Sequence, residues 1–130
     1  MAWNYYGLDR EAQKLVLAAK QRDAQSLNQS FKMRQAVAYG LERFWGEHLR
    51  LQERESNKSQ YWKETWDTFV EIMARAGINI PNDPINQNNT TTVRAMAERL
   101  WQLDLDKQRV GLAVLTQLCD HLVWWTQRYK

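Results

Sequence analysis

The chain has 130 residues, 44% of them hydrophobic and 25% charged, with a formal net charge of +3, which is the length of one domain and the balance of a chain that buries a core. Two prolines and five glycines exclude collagen-like and proline-rich designs. A single cysteine excludes a disulfide scaffold and points to a reducing, cytoplasmic compartment, and with only two histidines it leaves too few ligands for a structural zinc site. No apolar run reaches the ~18 residues of a membrane span, and the opening MAWNYYGLDREAQ lacks the basic-then-apolar layout of a secretory leader.

Helix formers dominate four long stretches, and no segment keeps a period-two pattern between turn residues, so no strands are expected. A first helix is predicted from Leu8 to Asn28, capped by Asp9, with Leu8, Ala12, Leu15, Val16, Ala19 and Leu27 as its apolar stripe. Trp3, Tyr5 and Tyr6 before it form either a hydrophobic plug or an interface segment. A second, long helix runs from Asn28 or Ser30 to near Ser56. Gly40 and Gly46 weaken it and suggest close packing or a local bend. A third helix spans Lys58 to Ala76, with Ser56 or Ser59 as cap and Gly77 as its left-handed stop. Residues 77–89, with both prolines and the Asn-Asp-Pro turn signal, form one loop, read as a surface crossover between antiparallel helices. A fourth helix runs from Thr90–Thr92 to near Leu103. A fifth, capped by Asp104 or Asp106, runs to Arg128 and is apolar over enough of its circumference to be the central element. The expectation is an all-α fold: a compact bundle of about five helices forming a single domain over residues 1–130.

Convergent polar chemistry is sparse. His48, in GEHLR, reads as a core or boundary histidine, and Cys119, on a strongly apolar helix, as an inert buried thiol. Asp120 and His121 are adjacent on one helix and point about 100° apart, so Asp120 cannot orient His121 as a triad acid would. No Glu-x-x-His, no His-Glu-x-x-His and no glycine-rich phosphate loop occurs. No cofactor or metal is implied, and a catalytic bundle built on His48 and His121 is the least favoured function.

The second predicted helix carries the most information. At about 100° per residue, Tyr39, Arg43, Arg50 and Arg54 return to within roughly 40° of Lys32, with Gly46 on the same stripe. Val37, Leu41, Phe44, Trp45 and His48 fall opposite. One continuous helix would thus present four cations and an interleaved tyrosine along a ridge of ~33 Å, suited to phosphates tracked by cations and a base stacked on an aromatic ring. The competing interpretation is a solvated face with intrahelical ion pairs, Glu47 meeting Arg43 or Arg50 while Glu53 and Glu55 lie off the stripe. Arg94, Arg99 and Arg109 add scattered cations diluted by Glu98, Asp104 and Asp106. Trp45, Trp62, Trp66 and Trp101 fit core stripes. Trp124 and Trp125 cannot both point inward, so an exposed Trp124, like Trp3 at the other end, reads as a protein-interface residue.

The segments MRQAVAYGLERFWGEHLR and QRVGLAVLTQLCDHLVWWTQRYK, within a small basic all-helical chain, resemble the small subunit of CRISPR effector complexes, and in particular the helical C-terminal region of the large subunit in type I-D systems. In that family the small subunit can be made separately from an internal start within the large-subunit gene, and the Met1-Ala-Trp-Asn opening is compatible with this. The resemblance implies a non-catalytic subunit that bridges the backbone and large subunits and copies of itself, and holds crRNA-bound target or displaced strand by its phosphates. Sequence would be read by guide pairing. The basic surface it implies maps to Lys32, Arg43, Arg50 and Arg54, and beyond them to Arg94, Arg99 and Arg109. The alternative is a helical protein-protein adaptor working through Trp3, Trp124 and the 77–89 loop, without nucleic-acid contact.

Overall fold

The computed structural model describes residues 7–85 and 88–130. Six α-helices account for most of them: α1 (Leu8–Arg22), α2 (Gln29–Ala36), α3 (Leu41–Leu51), α4 (Ser56–Arg75), α5 (Thr90–Trp101) and α6 (Leu105–Tyr129). No strand occurs among the described residues, and the all-α bundle expected from the helix periodicity is what forms. α1 lies along α6, α3 along α4, and α2 against α6, with α5 packed on α3. One apolar cluster runs through all of them from Leu8 to Leu122. Trp3, Tyr5 and Tyr6 lie outside the described residues.

Two of the expected helices are divided. The first stops at Arg22 because Asp23 turns extended (φ −166°) and its carboxylate accepts the Gln25 N–H, which starts a short 3-10 turn, Ala24–Asn28. The residue before α1 is Gly7, so Asp9 is not the cap. It sits in the first turn, where it accepts the Trp125 Nε1–H at 3.1 Å and lies 3.0 Å from His121 Nδ1. The long second helix is broken more severely. α2 ends at Ala36, a 3-10 turn covers Val37–Tyr39, and Gly40 takes φ 106°, ψ 167° before α3 begins. That region of backbone space is essentially glycine's alone. A Cβ placed on Gly40 would also stand 2.8 Å from Glu42 Oε1. The extra helix relative to the expected five arises from this break.

The interior is aromatic and centred on α4. Tyr61, Trp62, Trp66 and Phe69 are buried there. Phe44 from α3 meets Trp62 at 5.0 Å between ring centroids, and Trp66 meets Phe69 at 5.2 Å, separations at which tilted rings attract beyond their area burial. α6 buries Gly111, Val114, Leu115, Leu118, Cys119, Leu122 and Thr126 along one face, while Val110 and Trp124 remain exposed. It is therefore one wall of the core rather than an enclosed central rod. Trp101 is likewise not a core residue. It is 57% exposed, because α5 buries only Met96 and Leu100 and Trp101 is rotated one step past Leu100. Gly77 closes α4 with φ 81°, and the Ile78 N–H returns to the Met73 carbonyl at 2.9 Å, as expected of a left-handed helix stop.

A buried hydroxyl chain joins three helices. Ser30 Oγ of α2 lies 2.6 Å from the Tyr61 hydroxyl of α4 and 2.6 Å from Thr126 Oγ1 of α6. Burial pushes the Tyr61 phenol up to about 12. Ser30 holds both others at 2.6 Å, and the Tyr61 and Thr126 hydroxyls also interact with each other. Ser30→Ala removes the two short bonds of the trio and leaves only the contact between Tyr61 and Thr126, so it should cost about 1–3 kcal/mol, more than Tyr61→Phe, which leaves the Ser30–Thr126 bond standing; urea denaturation of both variants measures the order. Gly40→Ala should destabilise by roughly 1–3 kcal/mol. Combining it with Glu42→Ala should remove the clash but not the φ penalty. Wild-type stability in Gly40→Ala would mean that residues 29–51 form one unbroken helix instead.

Candidate nucleic-acid interface

The ridge predicted along residues 32–54 is not continuous, since the break at Gly40 separates Lys32 on α2 from Arg43 and Arg50 on α3. What the fold assembles instead is a local cluster. Lys32, Gln35 and Ala36 of α2, Tyr39 of the 3-10 turn, Arg43 and Glu47 of α3, and Trp62 of α4 line one open hollow of about 260 Å³. Tyr39 is 66% exposed at its rim, and the Arg43 guanidinium stands over its ring, 5.9 Å from the centroid. The floor is set by Trp62, which is buried and whose indole N–H donates to Gln29 Oε1 at 2.9 Å. Gln29 is itself buried, so the ring is held in one orientation from below.

Charge around the hollow is uneven. Lys32 and Arg43 form no ion pair among the described residues, whereas Arg50 is engaged. Its Nε and Nη2 donate to Glu47 at 3.0 and 2.8 Å, and this hydrogen bonding holds the Arg50 guanidinium above its ordinary value. That is the intrahelical pair which the sequence pattern allowed. Arg54 lies past the end of α3, at a second hollow with Asp23, Gln25, Glu55 and Lys58. Glu55 is not remote from the cations, as its place off the helical stripe suggested. It takes the N-cap position of α4 and pairs with Lys58 three residues on at 2.8 Å, and that hydrogen bond, helped by the charges of Lys58, Arg50 and Lys32, holds its carboxyl below the usual carboxylate range.

The remaining candidate cations lie elsewhere. Arg99 is bound by both oxygens of Asp83 at 2.5 Å, pinning the loop to α5. Arg94 and Arg109 are exposed on α5 and α6 and do not line the Tyr39 hollow. Trp124 is 46% exposed, with the Arg128 guanidinium 3.8 Å from its ring centroid. Trp125 turns inward to stack on Tyr129 at 5.6 Å. The consecutive tryptophans thus divide as expected. Gly46 has open space where a side chain would be, which places it on the solvent side of α3. Sequence reasoning missed Gln35, Ala36 and Trp62 as partners of Lys32, Tyr39 and Arg43. Trp62 arrives from another helix, and its spacing marks it only as a core residue.

The histidines serve separate structural roles. His48 is buried, its Nδ1 bonded to the Trp45 carbonyl, and its own carbonyl accepts the Ser59 hydroxyl at 2.6 Å, tying α3 to α4. Cys119 is buried and its thiol pKa is raised by that burial. Among the described residues no three His, Cys, Asp or Glu side chains gather as metal ligands, and no helix is long and apolar enough to cross a membrane. No protein-family model, curated protein or solved structure matches the chain.

Burial holds the His48 pKa below 6.5. The unfolded chain therefore binds the proton more tightly, and stability present above pH 6.5 is lost as pH falls toward the lowered native value. Denaturation midpoints should drop between pH 7 and 5 in the wild type. His48→Gln, which cannot titrate, should flatten that slope; an unchanged slope would place the proton uptake on another group.

Proposed function

We propose that this chain is the non-catalytic small subunit of a crRNA-guided CRISPR interference complex in the cytoplasm, holding target or displaced strand against a basic helical face while bridging the backbone and large subunits. The observation that carries this reading is the convergence of two unpaired cations, Lys32 and Arg43, and an exposed tyrosine on one open hollow. Cations that form no ion pair among the described residues keep their charge available to phosphate, and an exposed ring beside them suits base stacking better than bulk water. The resemblance of residues 33–50 and 108–130 to CRISPR small subunits supplies the biological setting.

The face is small. Glu47 and Glu55 dilute it, so the isolated chain should bind weakly, and useful affinity would come from presentation by a larger assembly. Trp124, with its covering Arg128, and the exposed Trp101–Leu105 corner are the surfaces available for neighbouring subunits. Those same residues favour the second reading, an adaptor that contacts only protein, and salt dependence separates the two.

Wild-type chain should bind single-stranded DNA weakly at low salt and lose it as salt rises. Lys32→Glu combined with Arg43→Glu should abolish this with helicity unchanged. Milder Lys32→Ala and Arg43→Ala together should flatten the slope of log K against log salt by about 1.4, two phosphate contacts at about 0.7 each. Arg50→Ala made together with Glu47→Gln should do less than Arg43→Ala, because Arg50 is already committed to Glu47 and the double change leaves no bare carboxylate at the hollow. Salt-insensitive association with protein and no strand binding would favour the adaptor. Co-purification from the native host, followed by sequencing of any bound guide RNA, tests the assembly itself.

A further inference from the structure

We propose that the hollow between α2, α3 and α4 seats one unpaired base of a single-stranded nucleic acid, stacked on Tyr39, with the flanking phosphates held by Lys32 and Arg43. This rests on the nucleic-acid reading above and adds which part of the strand enters the protein.

A face that only tracks phosphates needs neither a cavity nor an aromatic ring. Here the two cations and Tyr39 line the same hollow. The space, about 260 Å³, falls just below the roughly 300–1,000 Å³ of drug-sized ligand pockets and suits a flat fragment rather than a folded ligand. Ala36 keeps the floor clear, and the Trp62 ring, fixed by Gln29, closes it with apolar surface. Tyr39 follows α2 directly, in the 3-10 turn that leads into Gly40, so its ring is carried on backbone held between two helices. Arg43 lies over that ring, where its charge both steadies the aromatic face and stands ready for a phosphate. Glu47, the one carboxylate at the rim, is neutralised by its bidentate pair with Arg50, which lowers its repulsion of a passing phosphate. The Gln35 amide offers a donor and an acceptor together, so it can bond the edge of any base without selecting one.

Bases inside a duplex are stacked on their neighbours and cannot enter. The seat therefore favours single strands without sequence preference.

The test uses the full chain at low ionic strength with oligonucleotides carrying 2-aminopurine, in DNA and RNA forms, beside the matched duplex and a strand with abasic sites. Wild type should quench the 2-aminopurine on binding and prefer the intact single strand to the abasic one. Tyr39→Ala should weaken intact-strand binding at least about fivefold and leave abasic-strand binding unchanged, while Tyr39→Trp should retain both affinity and quenching. Because Tyr39 is exposed, its truncation spares the core, and circular dichroism checks this. Binding by wild type with no quenching, or a Tyr39→Ala loss equal on intact and abasic strands, overturns the base seat while leaving the basic face in place. No binding of any strand by wild type removes the nucleic-acid reading and the seat with it.

Discussion

Gly40 takes a backbone conformation that a side chain would obstruct, and the geometry of the basic face follows from it. At φ 106°, ψ 167° the chain leaves the direction of α2 and re-enters a helix with its carbonyl accepting the Phe44 N–H at 3.2 Å. α3 can then lie along α4 with Leu41, Phe44, Trp45, His48 and Leu49 turned inward. An unbroken helix would have carried Arg43 and Arg50 onward along the axis of α2. The break instead folds Arg43 back over Tyr39 and opens a hollow between the two helices, with α4 beneath. Near-impossible backbone for other residues thus exchanges a long exposed ridge for a short concave one.

Polar contacts in the interior hold that concavity in shape. The indole N–H of Trp62 is satisfied by buried Gln29, and the Tyr61 hydroxyl by Ser30. α2 is therefore bonded to α4 at two successive positions of the latter. Buried polar groups cost more when unpaired than they contribute when paired, so these bonds select the register of α2 on α4 rather than adding much net stability. Register is what decides whether Lys32 and Arg43 face the same opening.

Electrostatics divides the surface into committed and available charge. Arg34 is held by Asp120 at 2.6 Å, Arg22 by Glu64 at 3.0 Å and Arg99 by Asp83, each pair joining segments distant in sequence. The exposed pairs, Arg34–Asp120 and Arg99–Asp83, contribute little to stability, and the part-buried Arg22–Glu64 pair links α1 to α4, but all three remove cations from the set that can meet a polyanion. What is left near Tyr39 is two charges beside one ring, too few to hold a polyanion tightly unaided, which is why the proposed role relies on presentation by a larger assembly.

Sequence periodicity alone determined the helical class, the stop at Gly77, the burial of His48, Trp45, Trp62, Trp66 and Cys119, and the division between Trp124 and Trp125, because each depends on spacing within a single helix or on one residue's conformational preference. It also brought Lys32, Tyr39 and Arg43 together, although by projecting them on a continuous helix that does not exist. Tertiary structure decided the rest. Arg50 and Arg54 look equivalent to Arg43 by angle, yet one is taken by Glu47 and the other is carried past the end of α3 to Asp23 and Glu55. Trp101 shares the apolar character of core tryptophans but lies one step round from the buried stripe of α5. The Trp62 floor comes from a helix that no local pattern links to α2. Periodicity reports which face of a helix is apolar; which neighbour covers that face, and where the backbone leaves the helical path, are set by contacts between residues far apart in the chain.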